Sequence, residues 1–279
     1  MSIFFKPLFV AALAVGVVST AVSQQSVDPR PVVYLTFDDG PSADHSTDEL
    51  LDVLSRFGVT ATFFVTGQRA EKEPDKISAI LYGGHAIGNH THSHVALVGE
   101  TTSNIEREFT RANEAVLAAG GPPLTCYRPP FGLSDSEVAR VGSSLGMAPV
   151  NWSVDTRDWQ SDIDRYTITE TLNEIADGAI VLMHDGPSKR AKTVAAVSEW
   201  LEVHAHEYRF EALPQCKPYG TSAVFAAVDE QEIELALEPE DIPSLLEKLR
   251  SYRFNLQIDG PEQERAALLY GDQLSSRVF

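Results

Sequence analysis

From Val32 onward the chain switches repeatedly between short apolar runs and amphipathic stretches. Val32-Val33-Tyr34-Leu35-Thr36 has the continuous apolar character of a buried strand and stops at the turn signal Asp38-Asp39-Gly40-Pro41. Leu50, Leu51, Leu54 and Phe57 recur at helical spacing, with Gly58 as the stop. Thr62–Val65 is the next strand, followed by a helix around Ile77, Ile80 and Leu81 that ends at Gly83-Gly84. Ala86–His90 reads as a strand weakened by its glycine. Ile105, Phe109, Ala112 and Val116 define a helix stopped by Gly120-Gly121-Pro122, and Cys126-Tyr127-Arg128 runs into Pro129-Pro130. Val138, Val141 and Leu145 are helical, and Met147 to Ser153 is extended. Ile168, Leu172 and Ile175 precede Gly178; Ala179–Met183 is the strongest strand of the chain. Val194, Val197, Trp200 and Leu201 form a last helix before Tyr208-Arg209-Phe210.

This alternation predicts an α/β protein with a mostly parallel sheet covered by helices. About seven strand–helix units within residues 24–216 are compact enough to favour a barrel over open sheets. In parallel barrels function collects on the loops that follow the strands, so unusual polar residues should sit just after the apolar runs. Residues 217–279 carry no such pattern. A helix start at Asp241-Ile242-Pro243 and two strand-like runs, Val224–Val228 and Ile233–Leu237, predict a small acidic α+β appendage there.

Composition narrows the class. Hydrophobic residues are 43% and charged residues 22%, the balance of a globular protein with a sizeable core, which excludes disordered and fibrous architectures for the bulk of the chain. Forty acidic against 22 basic residues give a net charge of -18, a surface that repels phosphate backbones and excludes nucleic acid as a partner. Met1 to Lys6 carries one cation, Pro7 to Val18 is almost wholly apolar, and Ala21-Val22-Ser23 offers small residues before Gln24. Residues 1–23 are thus expected to be a cleavable secretory signal, too short in its apolar part for the roughly 20 residues of a spanning helix. The expectation is an exported protein, periplasmic or extracellular, without membrane insertion after cleavage. In such a chain the two cysteines, Cys126 and Cys216, are a candidate disulfide worth about 4 kcal/mol, the alternative being two buried thiols.

The strand ends carry the chemistry. The first gives Thr36-Phe37-Asp38-Asp39-Gly40, the third His90-Thr91-His92-Ser93-His94 and the fourth Arg128-Pro129-Pro130-Phe131-Gly132. The fifth gives Asp155-Thr156-Arg157-Asp158-Trp159 and the sixth Leu182-Met183-His184-Asp185. His90 and His94 are four apart, so on a helical turn both imidazoles face one way and grip one ion, while His92 points elsewhere. Two imidazoles and one carboxylate leave an open coordination position, as catalytic divalent sites do. Taken alone, the triplet reads equally as a surface histidine run. Adjacent Asp38 and Asp39 repel unless a metal takes one and a cation the other, although Asp-Asp-Gly-Pro-Ser alone reads as a helix-capping turn.

Together, Thr36–Ser42 (TFDDGPS), His90–His94 (HTHSH), Arg128–Gly132 (RPPFG), Asp155–Trp159 (DTRDW) and Leu182–His184 (LMH) resemble, in this order, the polysaccharide deacetylase family that carries the NodB homology domain, also called carbohydrate esterase family 4. The resemblance runs from about Pro31 to Cys216. It implies a deformed (β/α) barrel and metal-dependent removal of acetyl groups from glycans. It also implies that Asp39, His90 and His94 bind the metal, with Asp38 as general base and Arg128 orienting it. His184 is then the general acid, tuned by an aspartate of DTRDW, Asp158 in preference to Asp155. Two departures are visible: Val95 stands where proline is frequent, and Phe131 replaces a frequent tyrosine. The Phe131 position is thought to act through its backbone N–H, so the missing hydroxyl should matter little.

The chemistry requires such a set. An acetamide carbonyl is a poor electrophile and its amine leaves only when protonated. A divalent ion, Zn2+ first and Co2+, Ni2+ or Mn2+ as alternatives, polarises the carbonyl and lowers the pKa of water toward about 7. Asp38 takes the proton, the Phe131 N–H helps hold the oxyanion, and His184 protonates the departing nitrogen. Trp159 and Leu182 are placed to line a small acetyl pocket, with plain core packing as the alternative for Leu182. The expected substrate is an N-acetylglucosamine-containing glycan: chitin oligomers, peptidoglycan or an exopolysaccharide. Alternatives are an acetylxylan esterase and an inactive glycan-binding protein of the same fold.

Overall fold

The computed structural model describes residues 28–186 and 190–217. The expected signal segment, and all but the first residue of the expected appendage, lie outside them. Among these residues eight strands pair in parallel throughout: β1 (Val32–Asp38), β2 (Thr62–Val65), β3 (Ala86–Asn89), β4 (Cys126–Tyr127), β5 (Ala148–Pro149), β6 (Val154–Asp155), β7 (Ala179–His184) and β8 (Arg209–Phe210). Their order is β5-β4-β3-β2-β1-β7-β6, with β8 paired to Val32 and Val33 at the start of β1.

The edge strands β5 and β6 are consecutive in the chain, joined only by residues 150–153. In a flat sheet with strands about 4.8 Å apart, seven strands would separate those edges by about 29 Å. The connection spans at most about 17 Å when fully extended. The sheet therefore curls, and residues 150–153 bridge the seam of a deformed barrel. The single extended run expected over Met147–Ser153 is thus corrected to a two-residue strand, a crossing, and a second two-residue strand on the far edge. Periodicity does not reveal this, because both pieces are too short to show any.

Among the described residues seven helices cover the outside: α1 (Ser46–Arg56), α2 (Gly67–Lys72), α3 (Pro74–Tyr82), α4 (Thr102–Ala118), α5 (Ser136–Ser144), α6 (Arg165–Asn173) and α7 (Ala191–His204). The short α2 is an addition to the sequence-based expectation; six residues give no helical period to detect. The strands read as unbroken apolar runs because both of their faces are buried. Val33, Leu35, Phe37, Phe63, Val65, Val181 and Met183 face outward into the main core with the helices. The alternate positions face inward: Tyr34, Phe64 and Ile180 join Ala86, Cys126, Val150, Ala212, Leu213 and Cys216 in a second, smaller cluster.

That inner cluster plugs the N-terminal end of the barrel. The Leu213 N–H donates to Thr62 Oγ1 at 2.9 Å, Thr125 Oγ1 donates to the Gln215 carbonyl at 2.8 Å, and Cys126 is joined to Cys216 by a disulfide. A Cβ at Gly88 would lie 2.5 Å from the Phe64 ring and 2.8 Å from Cys126 Sγ. The glycine that weakens β3 as a sequence signal is thus what lets the disulfide and the ring pack inside. Polar chemistry is left for the other end of the barrel.

Replacing Cys126 and Cys216 together by serine should lower unfolding stability by about 2–5 kcal/mol, read as an earlier midpoint in chemical denaturation. An unchanged midpoint would show that the plug holds without its covalent link.

Candidate active site

At the C-terminal end of β1 the inward position is taken by Asp38, in register with His184 at the end of β7. Asp38 is buried, and its Oδ1 accepts from Arg128 Nη1 at 2.7 Å. Arg128 is fully buried and uses its whole fork: Nη1 also reaches Thr36 Oγ1 (2.8 Å), Nε the Val150 carbonyl (3.3 Å) and Nη2 the Asn151 carbonyl (3.2 Å). Its guanidinium lies over the Phe64 ring, 4.1 Å from the centroid. Burial lowers the guanidinium's pKa, and Asp38 beside it opposes that shift.

Asp39 follows with φ 72, a left-handed turn that swings the second carboxylate away from the first. Its Oδ1 lies 3.3 Å from His90 Nε2 and 3.0 Å from His94 Nε2. Tetrahedral ligands at about 2.1 Å from an ion sit about 3.4 Å apart, so these separations suit one small cation. The donor set passes a second test. His90 Nδ1 lies 2.7 Å from the Arg128 carbonyl, a partner that takes only a donated hydrogen and leaves the Nε2 lone pair facing the site. Asp39 Oδ1 is buried with no hydrogen-bond donor among the described residues. Burial acts to raise the Asp39 pKa, but the contacts with His90 and His94 outweigh it and hold the carboxyl far below the usual range. Among the described residues these three are the one group of potential ligand atoms drawn together, all within 4.8 Å.

The convergence of His90 and His94 does not come from a helical turn, and that expectation is corrected. They sit on a loop after β3 in which Thr91 (φ 64) and His94 (φ 58) are left-handed. Asn89 Oδ1 accepts from the Thr91 N–H at 2.8 Å. Buried Glu108 on α4 accepts from the N–H groups of His92 (3.1 Å) and Ser93 (2.9 Å) and from the Ser93 hydroxyl. His92 turns away as expected, its Nδ1 3.8 Å from Glu71.

His184 Nδ1 bonds Asp158 Oδ1 at 2.7 Å, and Asp158 Oδ2 accepts from the His184 N–H (2.9 Å) and from Thr193 Oγ1 (2.7 Å). Desolvation works to lower the imidazole's pKa, but fully buried Asp158, helped by Asp38 and Asp39, raises it above the ordinary value. The structure therefore brings Asp158 to His184. Asp155 ends β6 and accepts from the Arg157 N–H at 2.8 Å, so it shapes the turn, while Asp158 is the carboxylate bonded to His184. Phe131 (φ 62) sets its ring edge-on to His94, centroids 4.9 Å apart, and is exposed at the rim with Trp159. Leu182, two residues before His184 on the same inward face, is buried beneath them.

Glu108 and Thr193 escaped the sequence reading, and Asp185, seen at a strand end, was given no role there. Glu108 lies three residues after Ile105 and four before Ala112, an acid on the apolar face of its helix, and that was the available signal. Thr193 likewise shares the buried face of α7 with Ala196 and Val197. Asp185 is buried beneath Gly40, where a Cβ would meet its carboxylate, and it accepts from Thr47 Oγ1 at 2.7 Å. Burial pushes its carboxyl up to about 7, and only the tertiary fold creates that environment.

A cation trio flanked by one held carboxylate and one held imidazole, at the C-terminal rim of a parallel barrel, is the site of a metallohydrolase. The family model described as Polysaccharide deacetylase matches residues 25–150. Over 197 residues the chain is 36% identical to a chitooligosaccharide deacetylase of Sinorhizobium fredii, a match covering 66% of this chain and 91% of that protein. It is 34% identical over 176 residues to the peptidoglycan-N-acetylglucosamine deacetylase PgdA of Listeria monocytogenes, covering 63% of this chain and 37% of that protein. Among solved structures, a family 4 carbohydrate esterase from Streptomyces lividans in complex with acetate superposes with a TM-score of 0.62 at 31% identity, over 66% of this chain and 94% of that one. The chain belongs to the polysaccharide deacetylase family, and it is an enzyme acting on acetyl groups of glycans.

Two outcomes follow from the supports of the site. Glu108→Gln should fold normally by circular dichroism yet bind a divalent ion about 10–100-fold more weakly in calorimetric titration, because the loop between His90 and His94 loses its anchor; wild-type affinity would remove Glu108 from the site. Asp158→Asn removes the group that raises the His184 pKa, so the alkaline limb of the pH–rate profile, set by loss of the imidazolium, should move to lower pH. A limb that stays in place would show that another group titrates there.

Proposed function

We propose that this protein hydrolyses the N-acetyl groups of N-acetylglucosamine units in an oligosaccharide or polysaccharide, releasing acetate and a free amine. The observation that carries the reading is the placement of Asp38 beside the trio, its Oδ2 3.8 Å from His90 Nε2 while its Oδ1 is held by Arg128. One carboxylate oxygen is thereby occupied and the other is left to act at the cation site. An ion held by Asp39, His90 and His94 supplies Lewis-acid polarisation of the acyl oxygen and acidifies water; the donor set suits Zn2+ first, then Co2+, Ni2+ or Mn2+.

The chain's own groups do the rest. Asp38 Oδ2 takes the proton as water adds to the acyl carbon. His184, kept protonated by Asp158, gives its Nε2 proton to the nitrogen as the C–N bond breaks. The products are acetate and a glucosamine amine; Asp38 then gives up its proton to solvent and His184 regains one from it, which restores both groups. The Phe131 N–H has no hydrogen-bond partner among the described residues, which suits a donor to the oxyanion. Trp159 and Leu182 frame the space for the acetyl methyl.

Both named deacetylase relatives act, by their names, on chitooligosaccharide and on peptidoglycan N-acetylglucosamine, which supports an N-acetylglucosamine substrate here. The Cys126–Cys216 disulfide supports an oxidising compartment, in keeping with export to the periplasm or beyond.

Acetate release from acetylated chitooligosaccharides should exceed release from acetylated xylan; the reverse order would replace this reading by an esterase. Asp38→Asn should retain ion binding and lose about 10²–10⁴ in kcat. Near-wild-type turnover in that variant would refute the base assignment.

A further inference from the structure

A groove of about 190 Å³ leads away from the trio, with Asp39 and His94 in its wall and Thr66, Gln68, Arg69 and Lys72 along its length. It is smaller than the roughly 300–1,000 Å³ that encloses a drug-sized ligand, and so fits one sugar ring rather than an oligomer. Its charge is unusual for this protein. The chain carries -18 overall, yet apart from the candidate metal ligands Asp39 and His94 the two ionisable side chains lining this groove are both cationic.

Arg69 and Lys72 are three residues apart on α2, which puts two like charges on one helix face, an arrangement that costs stability unless an anion comes between them. The neighbouring acids of the same segment are turned elsewhere. Glu71 lies 3.8 Å from His92 and 3.9 Å from Arg111, and Glu73 lies 4.0 Å from Lys76. Among the described residues neither Arg69 nor Lys72 has an acidic side chain within ion-pairing distance. Arg69 is half-buried and Lys72 exposed, so both heads can turn to a ligand at little cost in desolvation.

We infer that Arg69 and Lys72 form a subsite for a carboxylate carried by the sugar next to the acetylated one, so that the enzyme selects acidic glycans over neutral ones. This rests on the deacetylase reading above and adds the charge class of the substrate. Because Asp39 and His94 line the same groove as Arg69 and Lys72, a glycan whose acetyl group reaches the trio can bring its adjoining ring to the two cations. The guanidinium takes the carboxylate in a fork and the ammonium adds a point charge. Thr66 and Gln68 are left for ring hydroxyls. Elsewhere the acidic surface repels the same polymer, so the groove also fixes where on the molecule it docks.

The test compares three glycans with the metal-loaded protein: alternating N-acetylglucosamine and N-acetylmuramic acid with free lactyl carboxylates, the same oligomer with those carboxyls reduced to alcohols, and alternating N-acetylglucosamine and glucuronic acid. At low salt, kcat/KM for a carboxylated oligomer should exceed that for the reduced one by about tenfold, the scale of two partly exposed ion pairs. A preference for one acid over the other identifies which carboxylate the groove takes. The preference should collapse in about 1 M salt, where charges are screened beyond about 3 Å. In the Arg69→Gln/Lys72→Gln double variant the ratio should fall below about twofold. A wild-type ratio near one, or a ratio undiminished in the variant, overturns the subsite. Acetate release from none of the glycans would instead overturn the deacetylase reading on which it rests.

Discussion

The ion pair between Arg128 and Asp38 is the constraint around which the barrel is organised. A guanidinium with no solvent exposure sits where other barrels place aliphatic side chains. Bringing such a charge out of water costs several kcal/mol unless its donors are met. Here Asp38, Thr36 and the carbonyls of Val150 and Asn151 take four of its five N–H groups, while Phe64 covers its face. The two carbonyls belong to the seam-crossing segment, so one side chain ties β1 to the point where the sheet fails to close.

The same contact makes the double aspartate tolerable. Asp38 and Asp39 would repel across one peptide bond in a buried site. The left-handed turn at Asp39 sends one carboxylate to Arg128 and the other to His90 and His94. Left-handed non-glycine residues recur on the rim, at Thr91, His94, Phe131 and Arg157. Each costs of order 1–3 kcal/mol, and each persists because its loop is over-determined by contacts such as those of Glu108 and Asn89. Strain is concentrated at the end of the barrel that reacts. The opposite end is closed by an apolar plug and a disulfide.

His184 shows how neighbouring strands share this work. Its position opposite Asp38 follows from the parallel register of β1 and β7, which sets an acid and an imidazole side by side on the inner face. Asp158 arrives from the loop after β6 and holds both the ring and the backbone of His184. Asp38 and His184, the proposed base and acid, therefore stand on adjacent strands, yet each is oriented by a group from a distant part of the chain.

Much of this was legible in the sequence. Continuous apolar runs mark strands buried on both faces, and the polar clusters after them fall on the loops that form the site; Asp38, Asp39, His90, His94, Arg128, Asp158 and His184 were all visible there. What the sequence determined is which side chains are present at which strand ends, because local pattern and spacing along the chain encode that directly. Tertiary structure alone decided how they meet. The separation of β5 from β6 across the seam, the loop rather than helical route by which two histidines converge, and the burial of Glu108 and Asp185 all depend on contacts between segments far apart in sequence. Such contacts are settled by backbone register and packing, which no window of neighbouring residues records.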